Sequence, residues 1–197
     1  MSFKLGLTGS IGMGKSTTAQ MLADAGCALW DADAAVHRLY APGGAAVEPM
    51  RALLPDAIVD GAVSRDALKV EIAKRPDVLR DIEVIVHPLV AADRAHFIAQ
   101  ADADILVFDI PLLFETGGDK AMDATACVTI PAEEQEARVM ARGTMTRDQF
   151  LAIRAKQMPN DEKCARADFV IVTDTLEHAR AQVHSVISQI KDRLADA

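Results

Sequence analysis

An eight-residue glycine-rich segment, Gly9–Ser16, constrains the fold of this chain more than any other feature of the sequence. It reads GSIGMGKS and matches the pattern G-x-x-x-x-G-K-[ST], in which a curled backbone surrounds phosphate oxygens with N–H groups. Such a loop requires a buried strand before it and a helix after it. The apolar run Phe3–Thr8 and the helical pattern Lys15–Ala25 supply both, so the segment predicts a phosphate-binding strand–loop–helix unit.

Five short apolar runs are spaced along the chain, with helical patterns between them. Nearly continuous apolar character is typical of parallel strands that are covered on both faces. The predicted strands are Phe3–Thr8, Ala28–Trp30, Ile105–Ile110, Ala126–Ile130 and Phe169–Thr173. This alternation predicts an α/β fold, namely a P-loop NTPase with a five-stranded parallel sheet.

Two strand-poor segments interrupt this pattern. Between Asp33 and Asp104 short helical patterns recur, and Pro88 is expected to end or kink any helix that runs through His87. The second segment, Gly143–Asp168, is rich in charge and favours a helical lid that excludes water. We therefore assign residues 1–32, 105–137 and 168–197 to a nucleotide-binding core, 33–104 to a helical substrate-binding insertion and 138–167 to the lid.

The composition excludes several classes of protein. A net charge of −8 without a basic stripe argues against a nucleic-acid partner. No apolar run is long enough for a membrane span, and the N-terminus lacks the pattern of a signal peptide. The three cysteines, Cys27, Cys127 and Cys164, are odd in number and favour a reducing cytoplasm over a disulfide framework. We expect a cytoplasmic monomer or weak homo-oligomer with a small-molecule substrate.

The residue types of the loop suit ATP and Mg²⁺. Glycines allow the tight backbone curl, and Lys15 places a positive charge near the β- and γ-phosphates. The Ser16 hydroxyl is suited to ligate the metal, and Thr17 can add a phosphate contact. The predicted ATP contacts are Gly12, Met13, Gly14, Lys15, Ser16 and Thr17.

Carboxylates follow two predicted strands, at the edge where open α/β sheets bind ligands. Asp33, after the second strand, is the candidate for orienting and deprotonating an acceptor hydroxyl. Asp31 is the alternative, and it equally suits the cap of the next helix. Asp109, at the end of the third strand, is the candidate second metal ligand, with a role in the turn before Pro111 as its alternative.

Cations are concentrated in the second half of the chain. Arg138 and Arg142 are four residues apart on one helical face and are candidates for contacting phosphates during transfer. Compensation of the helix dipole is the alternative role. Arg147, Arg154 and Lys163 continue the positive character into the lid segment.

Taken together, these residues resemble the dephospho-CoA kinase family. The opening LGLTGSIGMGKST, the WDAD sequence at Trp30–Asp33 and the His87–Pro88 pair are similar to signatures of that family. So are DIPLLFE at Asp109–Glu115 and the pattern of Gln157, Lys163 and Asp168 further on. The likeness extends over residues 4–172.

The resemblance implies transfer of phosphate from ATP to the ribose 3′-hydroxyl of 3′-dephospho-CoA, giving ADP and CoA. It implies that Asp33 is the base and that Arg138 or Arg142 contacts ATP. Asp31, Asp33 and His87 are the expected acceptor-side residues, although His87 can equally serve as a helix break.

Three alternatives remain at the level of sequence. The nearest is another small-molecule or nucleotide kinase of the P-loop type. A GTPase switch would carry an N-K-x-D motif near Ala126–Glu134, and none is present there. A non-catalytic ATP-binding regulator would have no need of Lys15, Asp33 and Asp109 together.

Overall fold

The computed structural model describes residues 2–196 and contains a five-stranded parallel sheet and a two-stranded sheet. The strands are β1 (Phe3–Thr8), β2 (Ala28–Asp31), β3 (Ile58–Val59), β4 (Ala62–Val63), β5 (Ile105–Asp109), β6 (Ala124–Thr129) and β7 (Phe169–Val172). Five of them form one sheet in the order β2-β5-β1-β6-β7. The pairs β1–β5, β1–β6 and β6–β7 are parallel, which confirms the predicted α/β fold.

Helices fill the connections between the strands. They are α1 (Lys15–Asp24), α2 (Ala32–Tyr40), α3 (Val47–Leu53), α4 (Arg65–Lys74), α5 (Val78–Gln100), α6 (Ala132–Ala141), α7 (Arg147–Lys156), α8 (Asn160–Arg166) and α9 (Leu176–Ala195). Short 3₁₀ turns lie at Pro55–Ala57 and Gly118–Ala121. Over residues 2–196, none of the helices combines the length and the apolar character that crossing a membrane requires.

The chain divides into two units, one of Met1–Trp30 with Ala101–Ala197 and the other of Asp31–Gln100. The first unit contains a core in which the sheet packs against α1 and α9. Leu7, Val107 and Val183 are fully buried there. Burial on both faces explains why the strands of this unit read as continuous apolar runs.

The second unit is mainly helical and has its own apolar cluster, in which Met50 and Ala57 are fully buried. Helix α5 continues for 23 residues with Pro88 inside it, so the helix does not end at this proline, and the alternative expectation of a kink stays a prediction. Proline lacks one backbone N–H, and the rest of the hydrogen-bond ladder together with the burial of Ile82 and Val86 sustains the helix.

A short antiparallel hairpin in the second unit was missed by the sequence analysis, which found no strong strand signal there. β3 and β4 pair through Ile58 with Val63 and Val59 with Ala62. Asp60 and Gly61 form the turn with φ values of 50° and 77°, and such positive angles match the twist of a two-residue hairpin. The dipeptide Asp-Gly was the available signal.

Candidate active site

The loop between β1 and α1 curls because two of its glycines adopt left-handed backbone conformations. Gly12 has φ 80° and Gly14 has φ 88°. A Cβ atom on Gly12 would lie 2.4 Å from Cγ2 of Val139, and one on Gly14 would lie 2.8 Å from Oγ1 of Thr173. A side chain at either position would therefore be strained and would also clash with its surroundings.

Helix α1 follows this loop directly. Within residues 2–196, no side chain caps the helix, which begins at Lys15 with Gly14 as its N-cap. The N–H groups of the first turn are then available to an outside acceptor, next to the positive end of the helix dipole. Ser16 and Thr17, in the same turn, are exposed. These features fit the binding of phosphate groups.

Lys15 and Asp109, which the sequence analysis selected independently, are in direct contact. Asp109 ends β5, where its backbone is in register with Leu7 of β1, and its side chain is only 2% exposed. The Lys15 ammonium donates a hydrogen bond to Oδ1 of Asp109. This ion pair places an amine and a carboxylate together at the carboxyl ends of the strands, where ligands bind in folds of this type.

Two side chains of the predicted lid segment hold the beginning of the loop. The Ser10 N–H donates to Oδ1 of Asn160 and the Ile11 N–H donates to Oε1 of Gln157, each at 3.1 Å. From α6, Nε2 of Gln135 donates to the carbonyl oxygen of Ile11 at 2.7 Å. Asn160 was missed by the sequence analysis, because nothing in its local sequence shows that it meets a loop 150 residues away.

Met13 serves the loop mainly through its backbone. Its N–H donates to the carbonyl oxygen of Ser10 at 3.2 Å, and its carbonyl oxygen accepts from Oγ1 of Thr173 at 2.7 Å. The side chain is 4% exposed and packs into the core, where its sulfur accepts from the Ile130 N–H. A contact between Met13 and ATP stays a prediction.

Arg138 lies next to the loop and is held at the end of β7. Its guanidinium donates to Oγ1 of Thr173 at 3.4 Å and to the carbonyl oxygen of Asp174 at 3.1 Å. These residues line a small pocket together with Gly14, Thr17, Thr18, Met21, Thr175, Leu176 and Ala179. Arg142, one turn further on, is the exposed C-cap residue of α6, so the two arginines occupy different environments.

Lys163, which was expected to add positive character to the lid segment, is instead buried in an ion pair with Glu115. Its side chain is 0% exposed, and Nζ contacts Oε1 of Glu115 at 2.9 Å and the carbonyl oxygen of Pro111 at 3.0 Å. Partial burial alone would raise the pKa of the Glu115 carboxyl. The hydrogen bonds from Lys163 and from the Met158 N–H outweigh that effect and hold the pKa below its ordinary value.

The predicted acceptor-side residues belong to the second unit. Asp31 accepts a hydrogen bond from the Ala34 N–H at 2.8 Å and caps α2, as its alternative role required. Asp33 is exposed in the first turn of α2, and His87 is exposed on α5. The roles of Asp33 and His87 stay predictions.

Sequence comparisons agree with one another over almost the whole chain. The CoaE dephospho-CoA kinase family model matches residues 3–178. A Ruegeria pomeroyi protein named dephospho-CoA kinase is 75% identical over 191 residues, covering 97% of this chain and 97% of its own length. A Cereibacter sphaeroides protein of the same name is 57% identical over 195 residues, covering 99% and 98%.

A solved structure shows the same architecture. The crystal structure of TT1252 from Thermus thermophilus superposes with a TM-score of 0.86 at 32% sequence identity. The match covers 95% of this chain and 97% of that one. The similarity therefore extends over almost the whole chain.

Proposed function

Because the chain belongs to the dephospho-CoA kinase family, we propose that it transfers the γ-phosphate of ATP to the ribose 3′-hydroxyl of 3′-dephospho-CoA, giving ADP and CoA. The observation that carries this proposal is the uncapped N-terminus of α1 behind the glycine-rich loop, with Lys15 beside Asp109. A different small-molecule kinase is not favoured, because the family match runs through both units of the chain.

The loop binds the phosphate chain of ATP in this proposal. The N–H groups of Gly14, Lys15, Ser16 and Thr17 lie in or beside the first turn of α1, where N–H groups have no partner within the helix. The Lys15 ammonium, held at the loop by Asp109, supplies the positive charge that the β- and γ-phosphates require. Gln157 and Asn160 engage the N–H groups of Ile11 and Ser10, which fixes the curl.

The pocket beside Arg138 is the proposed site of the nucleoside part of ATP. It adjoins Gly14 and Thr17, so a base placed there leaves the phosphates over the loop. Met21 and Leu176 supply apolar surface, and the Arg138 guanidinium offers a planar face for stacking. Arg142 is kept as a second candidate for contacting phosphates.

Ser16 and Asp109 are the residues that would hold Mg²⁺. Their hydroxyl and carboxylate oxygens are hard ligands of the kind that Mg²⁺ prefers. Within residues 2–196, no cluster of three or more His, Cys, Asp or Glu side chains forms a ready metal site. A site of few protein ligands fits Mg²⁺ that is shared with nucleotide phosphates, and the bound ion would neutralise charge on those phosphates.

The second unit is the proposed binding unit for 3′-dephospho-CoA. We assign to Asp33 the role of orienting the 3′-hydroxyl and accepting its proton, which suits an exposed carboxylate. Asp31 supports it by capping α2, and His87 contacts the substrate. Residues 138–167 act as the lid, since water must be excluded if it is not to replace the acceptor.

A cytoplasmic location is proposed on the basis of the cysteines. Cys27, Cys127 and Cys164 are all free thiols, which is typical of a reducing compartment. The monomeric or weakly oligomeric state expected from the sequence stays a prediction.

The test is ADP formation by the purified chain with Mg-ATP and one acceptor at a time. We expect turnover with 3′-dephospho-CoA and none with adenosine, AMP or CMP. Asp33→Asn should lower kcat by roughly 10² to 10⁴, the usual contribution of a general base, with little change in KM for ATP. The matched control Asp56→Asn alters an exposed aspartate in the same unit and should leave the rate unchanged. Turnover with a nucleoside or nucleotide instead would contradict the proposed acceptor.

A further inference from the structure

Two of the three cysteines lie against each other beside the phosphate-binding loop. The Sγ atoms of Cys127, on β6, and Cys164, on α8, are 3.6 Å apart. Cys127 is fully buried, whereas Cys164 is partly exposed. A disulfide needs an S–S distance of roughly 2 Å, so its formation requires the side chains to rotate and α8 to move towards β6.

We propose that Cys127 and Cys164 form a reversible disulfide that weakens nucleotide binding to the adjacent loop. The effect on nucleotide rests on the proposed function, whereas the formation of the disulfide does not. Cys27 takes no part, because it precedes β2, an edge strand that β5 and β1 separate from β6.

The position of Asn160 connects the thiol pair to the loop. Asn160 begins α8, one turn before Cys164, and its Nδ2 lies 3.6 Å from the Cys164 sulfur. Its Oδ1 accepts from the Ser10 N–H at 3.1 Å and lies 4.0 Å from the Cys127 sulfur. Drawing Cys164 towards β6 therefore displaces the side chain that holds the loop.

The two thiols have different reactivities, which sets the order of the chemistry. Burial and the neighbouring Cys164 raise the pKa of the Cys127 thiol, so this thiol stays protonated and is a weak nucleophile towards an outside oxidant. Its burial also keeps the oxidant away from it. The more accessible Cys164 attacks hydrogen peroxide, the O–O bond breaks, and Cys164 becomes a sulfenic acid with release of water. The Cys127 sulfur then attacks the Cys164 sulfur, the S–O bond breaks, and the hydroxyl leaves as water with the Cys127 proton.

The balance is two thiols and one peroxide giving one disulfide and two waters. A small dithiol such as dithiothreitol reverses the reaction by thiol–disulfide exchange. Loss of the hydrogen bond from Ser10 should lower ATP affinity roughly fivefold to tenfold, the usual effect of losing one such bond. By reciprocity, saturating ATP should shift the thiol–disulfide equilibrium towards the two thiols by the same factor.

The test treats the full reduced chain with hydrogen peroxide and follows intact mass, peptide map and affinity for a non-hydrolysable ATP analogue by calorimetry. We expect the loss of two hydrogens and a cross-linked peptide that joins Cys127 to Cys164. We also expect a fivefold to tenfold weaker Kd that dithiothreitol restores. Cys27→Ala should behave like the parent chain, and Cys164→Ser should show neither the cross-link nor the change in Kd.

Oxidation of Cys164 to a sulfinic acid without a cross-link, or no oxidation at all, would overturn the disulfide. A cross-link with an unchanged Kd would overturn the link to the loop. The proposed function fails separately, namely if the reduced chain forms no ADP with 3′-dephospho-CoA. The mass and Kd measurements still decide the inference in that case, because neither needs turnover.

Discussion

Replacement of Lys163 by methionine tests whether the buried ion pair supports the loop and the end of β5. Lys163 is 0% exposed and contacts both Glu115 and the carbonyl oxygen of Pro111. The Thr8 hydroxyl donates to the same carbonyl at 3.1 Å, so the lysine is joined to the end of β1 as well. Lys163→Met keeps most of the side-chain volume and removes only the charge and its hydrogen bonds.

The expected loss of stability in Lys163→Met depends on the Glu115 carboxylate, which the variant leaves without its lysine partner. Breaking a buried ion pair costs about 3 to 5 kcal/mol, because the remaining charge is buried without a partner. The Glu115 side chain is 19% exposed and keeps the hydrogen bond from the Met158 N–H, so we expect the lower limit. A loss of about 3 kcal/mol corresponds to a fall in Tm of roughly 6 to 12 °C for a chain of this size.

The assay is urea unfolding at neutral pH, compared across a double-mutant cycle. Glu115→Gln removes the unpaired charge, so the double variant Lys163→Met with Glu115→Gln should be more stable than additivity predicts by about 1 to 2 kcal/mol. Lys156→Met, an exposed lysine at the end of α7, is the matched control and should change stability by less than about 0.5 kcal/mol. A Lys163→Met variant as stable as this control would refute the argument.

Three further variants test other parts of the site. Gly12→Ala places a side chain on a left-handed backbone conformation and against Val139. It should lower the stability by about 1 to 3 kcal/mol and raise the KM for ATP. The control is Gly143→Ala, at a glycine with nothing close to its Cβ position, and an equal KM for ATP in the two variants would contradict this prediction. Asn160→Ala removes the acceptor of the Ser10 N–H and should raise the KM for ATP roughly fivefold. Glu162→Gln, exposed on the same helix, should leave this KM unchanged. Equal KM values for the two variants would show that the hydrogen bond from Ser10 to Asn160 does not support ATP binding. The carboxyl of Glu115 has a lowered pKa in the folded state, so its stabilising effect is present above the unfolded-state pKa and disappears as the pH falls through the folded-state pKa. Urea unfolding should therefore show a larger difference between Glu115→Gln and the parent chain at pH 7 than near pH 3, and an equal difference would contradict the pKa direction.

The sequence predicted the sheet and the phosphate loop well, because both depend on local patterns. The strand β1 spans the predicted Phe3–Thr8, and the other four sheet strands differ from prediction by one or two residues at their ends. A strand that is buried on both faces appears in the sequence as a continuous apolar run, so it can be predicted. A loop that needs positive φ angles favours glycine at those positions, so its glycine pattern can be predicted as well.

Contacts between distant segments were not predictable in the same way. Asn160 and Gln157 meet the loop only because α7 and α8 fold back onto it, and no spacing in the sequence records that. Lys163 looked like one more lid cation, since a buried lysine and an exposed one have the same local pattern when the partner, Glu115, lies 48 residues earlier. The hairpin at Asp60–Gly61 was predictable from its turn and was overlooked among helical patterns.

The measurement that tests the central claim most directly is the fate of labelled phosphate. The purified chain is incubated with Mg²⁺, 3′-dephospho-CoA and ATP labelled at the γ-position, and the product is identified by mass spectrometry and phosphorus NMR. We expect one labelled phosphate on the ribose 3′-oxygen, formed at the rate of ADP release and abolished in Lys15→Met. Label at any other position, label released as inorganic phosphate, or an active Lys15→Met variant would contradict it.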